Sequence, residues 1–447
     1  MKRLERNSCC LVNRSWFSVC VVLSLIVHCA AAGSFRAAAT KVDITPKLPQ
    51  WMHGYGPRKS EGVNDRIQHR IVAMDDGDTT FYLVASDICT VTPSFCDDVL
   101  ARLNREAGIE PGQVWWTATH THAAPHVGPQ DLGSLFQRTL GDRFSMKHDT
   151  NHWNFVVGRF IEGVKTVRKE LEPARLAVAV GEAKGNVNRR QRMPDGRIRL
   201  GVNPDGPADR QMGVMRVERP DGSLIALVAN YAIHGTALGG RNRIISGDIT
   251  GFVANHVEKE VGVPTLFTNG AEGNIAPLYS IGNDFGSPRL KELTETLGTR
   301  IMELSKSVGN ASGDVRLSLD MTWIETRRRK GLGWIDALAA YAGKDADGAP
   351  TVRVPVRSLV INGSTAIWAA PLELFSEISI NVREASPFPK TLYFGLTNGS
   401  LLYMPTRAAF SEGGYEVGVS PFTPQAEEDF TSGVSSYLKE LAVKEGR

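Results

Sequence analysis

Apolar and polar positions along the chain follow two periods, and each change of period marks a new element. The short apolar runs 70–74 and 80–85 flank the turn Asp75-Asp76-Gly77-Asp78 and read as a strand hairpin. Helical spacing over 94–107 puts Val99, Leu100 and Leu103 on one face, and the apolar run 113–119 reads as a strand entering a histidine cluster. A helix over 154–171, a strand at 175–180 and a second hairpin (213–218 and 224–233, about Pro220-Asp221-Gly222) follow. Next come a helix over 250–260 capped by Asp248 or Thr250, a strand at 265–268 and a helix over 291–307. A third hairpin (355–361 and 365–370) turns at Asn362-Gly363, before a helix over 372–384, a strand at 391–396 and a closing helix over 425–443. Strands and helices alternating in this way, with hairpins among them, predict an α/β fold of mixed sheets with flanking helices. No internal repeat or low-complexity tract is visible, and residues 344–350 read as a surface loop.

The first 32 residues follow a different logic. Lys2, Arg3, Arg6 and Arg14 precede the apolar run 17–27, and Ala30-Ala31-Ala32 supplies small residues for cleavage. This is the pattern of a secretory signal peptide, too short and wrongly flanked for a membrane span. The expectation is therefore an exported protein, periplasmic or extracellular, in which residues 33–447 form one domain.

Composition enters only after that cut. The full chain of 447 residues has a formal charge of +3, and removing four basic and one acidic residue leaves zero. A neutral chain without long basic runs excludes nucleic acid as an expected partner; the short run Arg327 to Lys330 reads as a solvated strand edge. Four of the six cysteines lie in the leader, so Cys89 and Cys96 remain, as one bridge or as two core thiols.

Four segments each deliver a residue able to bind metal at the end of an apolar run. His120 and His122 in Thr119-His120-Thr121-His122 project to the same side, which allows one to act as ligand and the other as acid or base. A hydrogen-bonded surface pair has the same pattern. His234 follows the run LIALVANYAI, where a lone histidine is more often structural than a ligand. Glu373 reads as an acid opening a helix, a position the helix dipole alone favours, and Tyr403 as a tyrosine after the strand 391–396. His148 and His152, four apart, form a weaker pair, and no GxSxG or phosphate-binding loop is present.

Taken in order, these stations resemble the neutral ceramidases, zinc-dependent amidases that cleave the N-acyl bond of ceramide. The resemblance runs from Lys41-Val42-Asp43-Ile44-Thr45-Pro46 through THTH, Asn188-Arg189, His234, Ser246-Gly247-Asp248, Glu373 and Gly395-Leu396-Thr397-Asn398 to Tyr403 and Tyr415. It implies Zn2+ held by His120, His234, Glu373 and Tyr403, which would make water a nucleophile near neutral pH. It further implies that His122 carries a proton and that Arg189 and Tyr415 face the developing oxyanion. Asp87 is a candidate partner for a ligand histidine. The implied substrate is ceramide or another lipid-like or small amide, met with transient contact at a membrane surface.

Two departures qualify that reading. The family's GD-x-SP segment corresponds to Gly273-Asn274-Ile275-Ala276-Pro277, so Asn274 stands for aspartate and Ala276 for serine. A methyl group neither donates a hydrogen bond nor attacks a carbonyl. The family's C-terminal β-sandwich is also expected to be absent. Non-catalytic binding, or hydrolysis of a different bond such as an ester, are the alternative expectations.

Overall fold

The computed structural model describes residues 35–47, 49–129, 149–330, 334 and 336–446. The predicted leader and His148 lie outside the described residues.

Among the described residues one order of elements occurs three times: three strands, a helix, a fourth strand and a closing helix. The first copy comprises Arg36–Asp43, Gln68–Asp75, Thr80–Ser86, the helix Pro93–Ala107, Val114–Ala118 and the helix Thr150–Lys169. The second comprises Arg175–Glu182, Gln211–Glu218, Leu224–Tyr231, Asp248–Val261, Thr265–Asn269 and Pro288–Ser307. The third comprises Leu317–Arg327, Pro350–Ile361, Thr365–Ala369, Ser376–Glu384, Lys390–Phe394 and Ala426–Lys444. In every copy the sheet runs fourth strand, third, second, first. The first three strands pair antiparallel, and the fourth pairs parallel to the third. The expectation that no repeat exists is thus corrected at the level of architecture. The repeat lies in strand order and pairing, which residue identities do not display.

Alternation along the strands sorts side chains between two layers. Val72, Met74, Leu83 and Trp115 of the first sheet meet Met215, Val217, Val228 and Leu266 of the second and Leu359, Ile367, Leu392 and Phe394 of the third in a common core. The alternate residues face outward onto helices of their own copy: Ile71 and Val84 with Phe160, Val214 and Leu227 with Leu297, Val354 and Trp368 with Phe430. The inner strands of the sheets are therefore buried on both faces, which accounts for nearly continuous apolar strands such as Leu224–Tyr231, whereas Leu317–Arg327 at the edge of the third sheet alternates toward solvent.

The helices begin where short polar side chains satisfy their first amides. Thr92 accepts from Phe95 N with Pro93 at the first turn, and Asp149 accepts from Asn151 N and His152 N. For the helix at Asp248–Val261 the cap is Gly247, rather than Asp248 or Thr250. Instead the Asp248 carboxylate accepts from Ala237 N and Leu238 N and ties down the loop after His234.

One element was mistaken in the sequence. The helix expected over 372–384 starts only at Ser376; Glu373–Leu374 is a two-residue strand parallel to Tyr403–Met404. Glu373 N donates to Leu402 O and Phe375 N to Met404 O, which holds this stretch extended. Glu373 and Tyr403 consequently stand side by side. Cys89 and Cys96 are both free and buried.

Candidate metal centre

In the three copies the parallel strand pairs end at one place, and the chemistry-bearing residues follow those ends. This is the edge of an α/β sheet where loops can converge without disturbing the ladder. His120 is the second residue after Val114–Ala118, His234 the third after Leu224–Tyr231, and Glu373 the fourth after Thr365–Ala369.

Their donor atoms converge. His120 Nε2 lies 3.0 Å from His234 Nε2 and 3.2 Å from Glu373 Oε2, and His234 Nε2 lies 3.5 Å from the same oxygen. Atoms bound tetrahedrally at about 2.0–2.2 Å from one ion sit roughly 3.3–3.6 Å apart. The three observed edges are close to that triangle. Ligand atoms of His120, His234, Glu272 and Glu373 all lie within 4.8 Å of one another, and all four residues are buried.

The hydrogen bonds behind the rings decide what the facing atoms are. His120 Nδ1 donates to Cys89 O at 2.8 Å and His234 Nδ1 to Glu272 O at 3.0 Å. Carbonyls only accept, so both neutral rings present bare Nε2 lone pairs to each other and to a carboxylate oxygen that has no hydrogen-bond partner. Three converging lone pairs repel unless a positive charge sits among them. The donor set therefore fits a divalent cation. The electrostatics show the same demand for positive charge: burial pulls His120 toward the neutral form, but without a cation among the donors the Glu373 carboxylate outweighs it and holds His120 well above an ordinary imidazole, toward its protonated form. Burial, then nearby Arg189 and His120, hold His234 well below.

His120 also carries backbone strain. Its φ of 59° is in the left-handed region, a conformation that costs a non-glycine residue about 1–3 kcal/mol. Surrounding bonds enforce it: Thr119 N donates to Ser86 O, Asn269 Nδ2 to Thr119 O, and His122 N to Gly235 O.

His122 differs from its neighbours. Its Nε2 is 3.3 Å from His120 Nε2, but its buried Nδ1 has no hydrogen-bond partner, so no carbonyl fixes its tautomer. Its ring packs edge-on against Tyr55, with centroids 4.8 Å apart, and burial holds it well below the usual imidazole range. Gly54, at φ +93°, makes room: a Cβ there would lie 2.4 Å from His122 Cγ.

The remaining expected residues line the other side. The Arg189 guanidinium stands 5.4 Å from the centre of the Tyr403 ring and donates from Nε to Glu416 Oε1 at 2.9 Å, while its buried Nη2 has no hydrogen-bond partner. Tyr403 interacts through its hydroxyl with Glu373 and Arg189. Tyr415 packs against Tyr403 at 5.8 Å and is 41% exposed, which puts it at the mouth rather than among the buried donors.

Two expectations are revised by the geometry. Asp87 orients no ligand histidine; its Oδ2 accepts from Arg70 Nη1 at 2.7 Å and from Gln68 N, and its Oδ1 from Thr119 Oγ1. A buried guanidinium demands that carboxylate, and the Cys89 carbonyl does the orienting instead. Asn274 turns away from the imidazoles: Oδ1 accepts from Ser376 N at 3.0 Å and Nδ2 donates to Glu377 Oε2 at 2.7 Å. It joins the turn after Thr265–Asn269 to the start of the helix Ser376–Glu384. Ala276 lies half-buried on the strand Ile275–Pro277, opposite Val187.

Glu272 was missed in the sequence. It occupies the same kind of place as the others, three residues beyond an apolar strand, but sits one position before the motif that drew notice. Burial, reinforced by Glu373 and opposed by His120, raises its carboxyl to about 8.

Comparison with known proteins agrees with this architecture. The neutral ceramidase of Pseudomonas aeruginosa is 25% identical over 333 residues, 69% of this chain and 48% of that protein. The neutral ceramidase of Mycobacterium tuberculosis is 27% identical over 229 residues, 47% of this chain and 33% of that protein. The chain thus spans about half or less of the length of the curated relatives it matches. The crystal structure of the Pseudomonas aeruginosa neutral ceramidase superposes with a TM-score of 0.72 at 19% identity, covering 92% of this chain and 75% of that one, which shows a shared fold. Residues 35–283, more than half of the sequence, match the family described as neutral/alkaline non-lysosomal ceramidase, N-terminal, and the chain belongs to that family.

Proposed function

We propose that this chain is an exported zinc-dependent amidohydrolase that cleaves the N-acyl bond of ceramide or a related lipid-like amide. One observation carries the reading: the bare Nε2 atoms of His120 and His234 and the unpartnered Oε2 of Glu373 converge at distances of 3.0, 3.2 and 3.5 Å. His120, His234, Glu373 and Tyr403 would hold the ion. Zn2+ bound there would supply Lewis acidity, able to polarise a carbonyl and to acidify a bound water.

The chain's own residues do the rest. His122, with its ring fixed by Tyr55 and Gly54 and its Nδ1 uncommitted, takes a proton at Nε2 and returns it to the leaving amine. Arg189, anchored by Glu416, offers the spare Nη2 protons to an oxyanion. Tyr415, half-exposed at the mouth, meets the substrate as it enters. A lipid-like amide as substrate is supported by the solved ceramidase complexed with C2, whose fold this chain shares.

A second reading, a binder that retains the metal without turnover, rests on Ala276, whose methyl cannot replace a serine hydroxyl. Metal analysis of the purified protein should find about one zinc per chain, and His120→Ala or Glu373→Ala should abolish uptake. A fluorescent N-acyl panel then divides the two readings. Turnover of amides supports the enzyme; a fully metallated protein inert toward amides and esters alike supports the binder.

A further inference from the structure

Glu272 has no task in the reaction just described, yet its surroundings are unusual for a buried acid. It is completely buried, and both carboxylate oxygens lack a hydrogen-bond partner. Burial favours the neutral acid, yet a buried acid whose oxygens find no partner still forfeits its hydrogen bonds, whereas a cation bound beside it would satisfy the group as a carboxylate. Its oxygen also lies in the group formed with His120, His234 and Glu373, within 4.8 Å of each.

Architecture points the same way. Glu272 follows the fourth strand of the second copy, as His120 follows the fourth strand of the first. The turn that carries it is fastened on all sides. Glu272 O accepts from both His234 Nδ1 and Ile275 N, Gly273 N donates to Leu374 O, and Ser376 Oγ donates to Ala271 O. The backbone atom that orients one ligand histidine thus belongs to the residue whose own side chain enters the pocket.

We propose that Glu272 is itself a ligand of the metal centre, giving it two imidazoles and two carboxylates. This rests on the metal-binding reading above and extends it. Two carboxylates neutralise a divalent ion, and the added hard oxygen donor widens the set of ions the site accepts to Mn2+ and Fe2+ as well as Zn2+.

The test compares the metal-free full chain with Glu272→Gln, which keeps size and removes charge, and Glu272→Ala. Zn2+ and Co2+ affinities are measured by calorimetry, coordination by the visible spectrum of the Co2+ form, and folding of the metal-free variants by circular dichroism. Outer-sphere substitutions weaken metal sites by about 10–100-fold. Loss of Zn2+ affinity beyond about 100-fold in both variants, with an altered Co2+ spectrum, is the expected result. Affinity within about 10-fold of the parent and an unchanged spectrum would overturn the assignment while leaving His120, His234 and Glu373 as ligands. Failure of the parent chain to take up any ion would overturn the metal reading, and Glu272 with it.

Discussion

Gly273 and Glu373 approach so closely that a methyl group on Gly273 would lie 2.5 Å from the Glu373 carbonyl oxygen. No side chain fits there without moving the backbone that carries the Glu373 carboxylate, a proposed metal ligand. Gly273→Ala is expected to destabilise the protein by about 1–3 kcal/mol, as overpacking does, and to weaken Zn2+ binding about tenfold or more. Gly158→Ala is the control. It sits in the helix Thr150–Lys169 with open space around its Cα, so it should be neutral or stabilising by about 0.4–1 kcal/mol in urea unfolding.

Gly54 supports His122 in the same steric fashion without touching the ion's donors. Gly54→Ala adds strain at φ +93° and pushes on the His122 ring. The expected outcome is a fall in kcat of about tenfold or more, within the range general acid–base catalysis contributes, while Zn2+ affinity by calorimetry stays within about threefold of the parent. A parallel loss of metal would show that His122 belongs to the ligand set instead.

The Asn274 and Ala276 substitutions, equivalent on paper, separate in the fold. Asn274→Asp retains the acceptor for Ser376 N but loses the donor to Glu377 and sets a second carboxylate against Glu377 Oε2. A buried like-charge contact with a lost hydrogen bond should cost about 2 kcal/mol or more. Ala276→Ser, half-buried on a strand of a three-stranded sheet, should change stability by less than about 0.5 kcal/mol. Chemical denaturation of the two single variants checks both.

His69 offers a pH signature remote from the candidate metal centre. Its Nε2–H donates to Val156 O at 3.0 Å and its Nδ1 accepts from Ser86 Oγ at 2.6 Å; Ser86 Oγ in turn accepts from Trp116 Nε1 at 2.8 Å. Burial lowers its pKa to about 4. Between about pH 6.5 and 4 the unfolded chain binds a proton that the folded chain refuses. Stability from this residue is therefore complete above pH 6.5 and lost as pH falls toward 4, by roughly 3 kcal/mol in all. Urea midpoints across that window should slope less in His69→Gln than in the parent.

The elements were legible wherever period and boundary agreed, as in the hairpin Gln68–Asp75 with Thr80–Ser86 or the helix Pro288–Ser307. Glu373 was misread as helical because Pro-Leu-Glu-Leu-Phe satisfies both periods, and only pairing with Tyr403–Met404 decides between them. The histidines were visible as candidates because His120, His122 and His234 each close an apolar run, although structural histidines occupy such places too. Glu272 did not, since an acid in a Gly-rich turn looks like ordinary solvated surface until the backbone of Glu373 closes over it. Asp87 looked like a ligand's partner for want of a visible competitor; Arg70, seventeen residues earlier, is that competitor only after the strands pair.

The threefold plan has a consequence for how the molecule becomes competent. His120 and His122 come from the first copy, His234 and Glu272 from the second, and Glu373 and Tyr403 from the third. No one copy owns more than a fraction of the donors, and a cut at either junction would leave two fragments each lacking part of the chemistry. Ion uptake during refolding would therefore report the last assembly event, the docking of all three repeats, and not the formation of any single one.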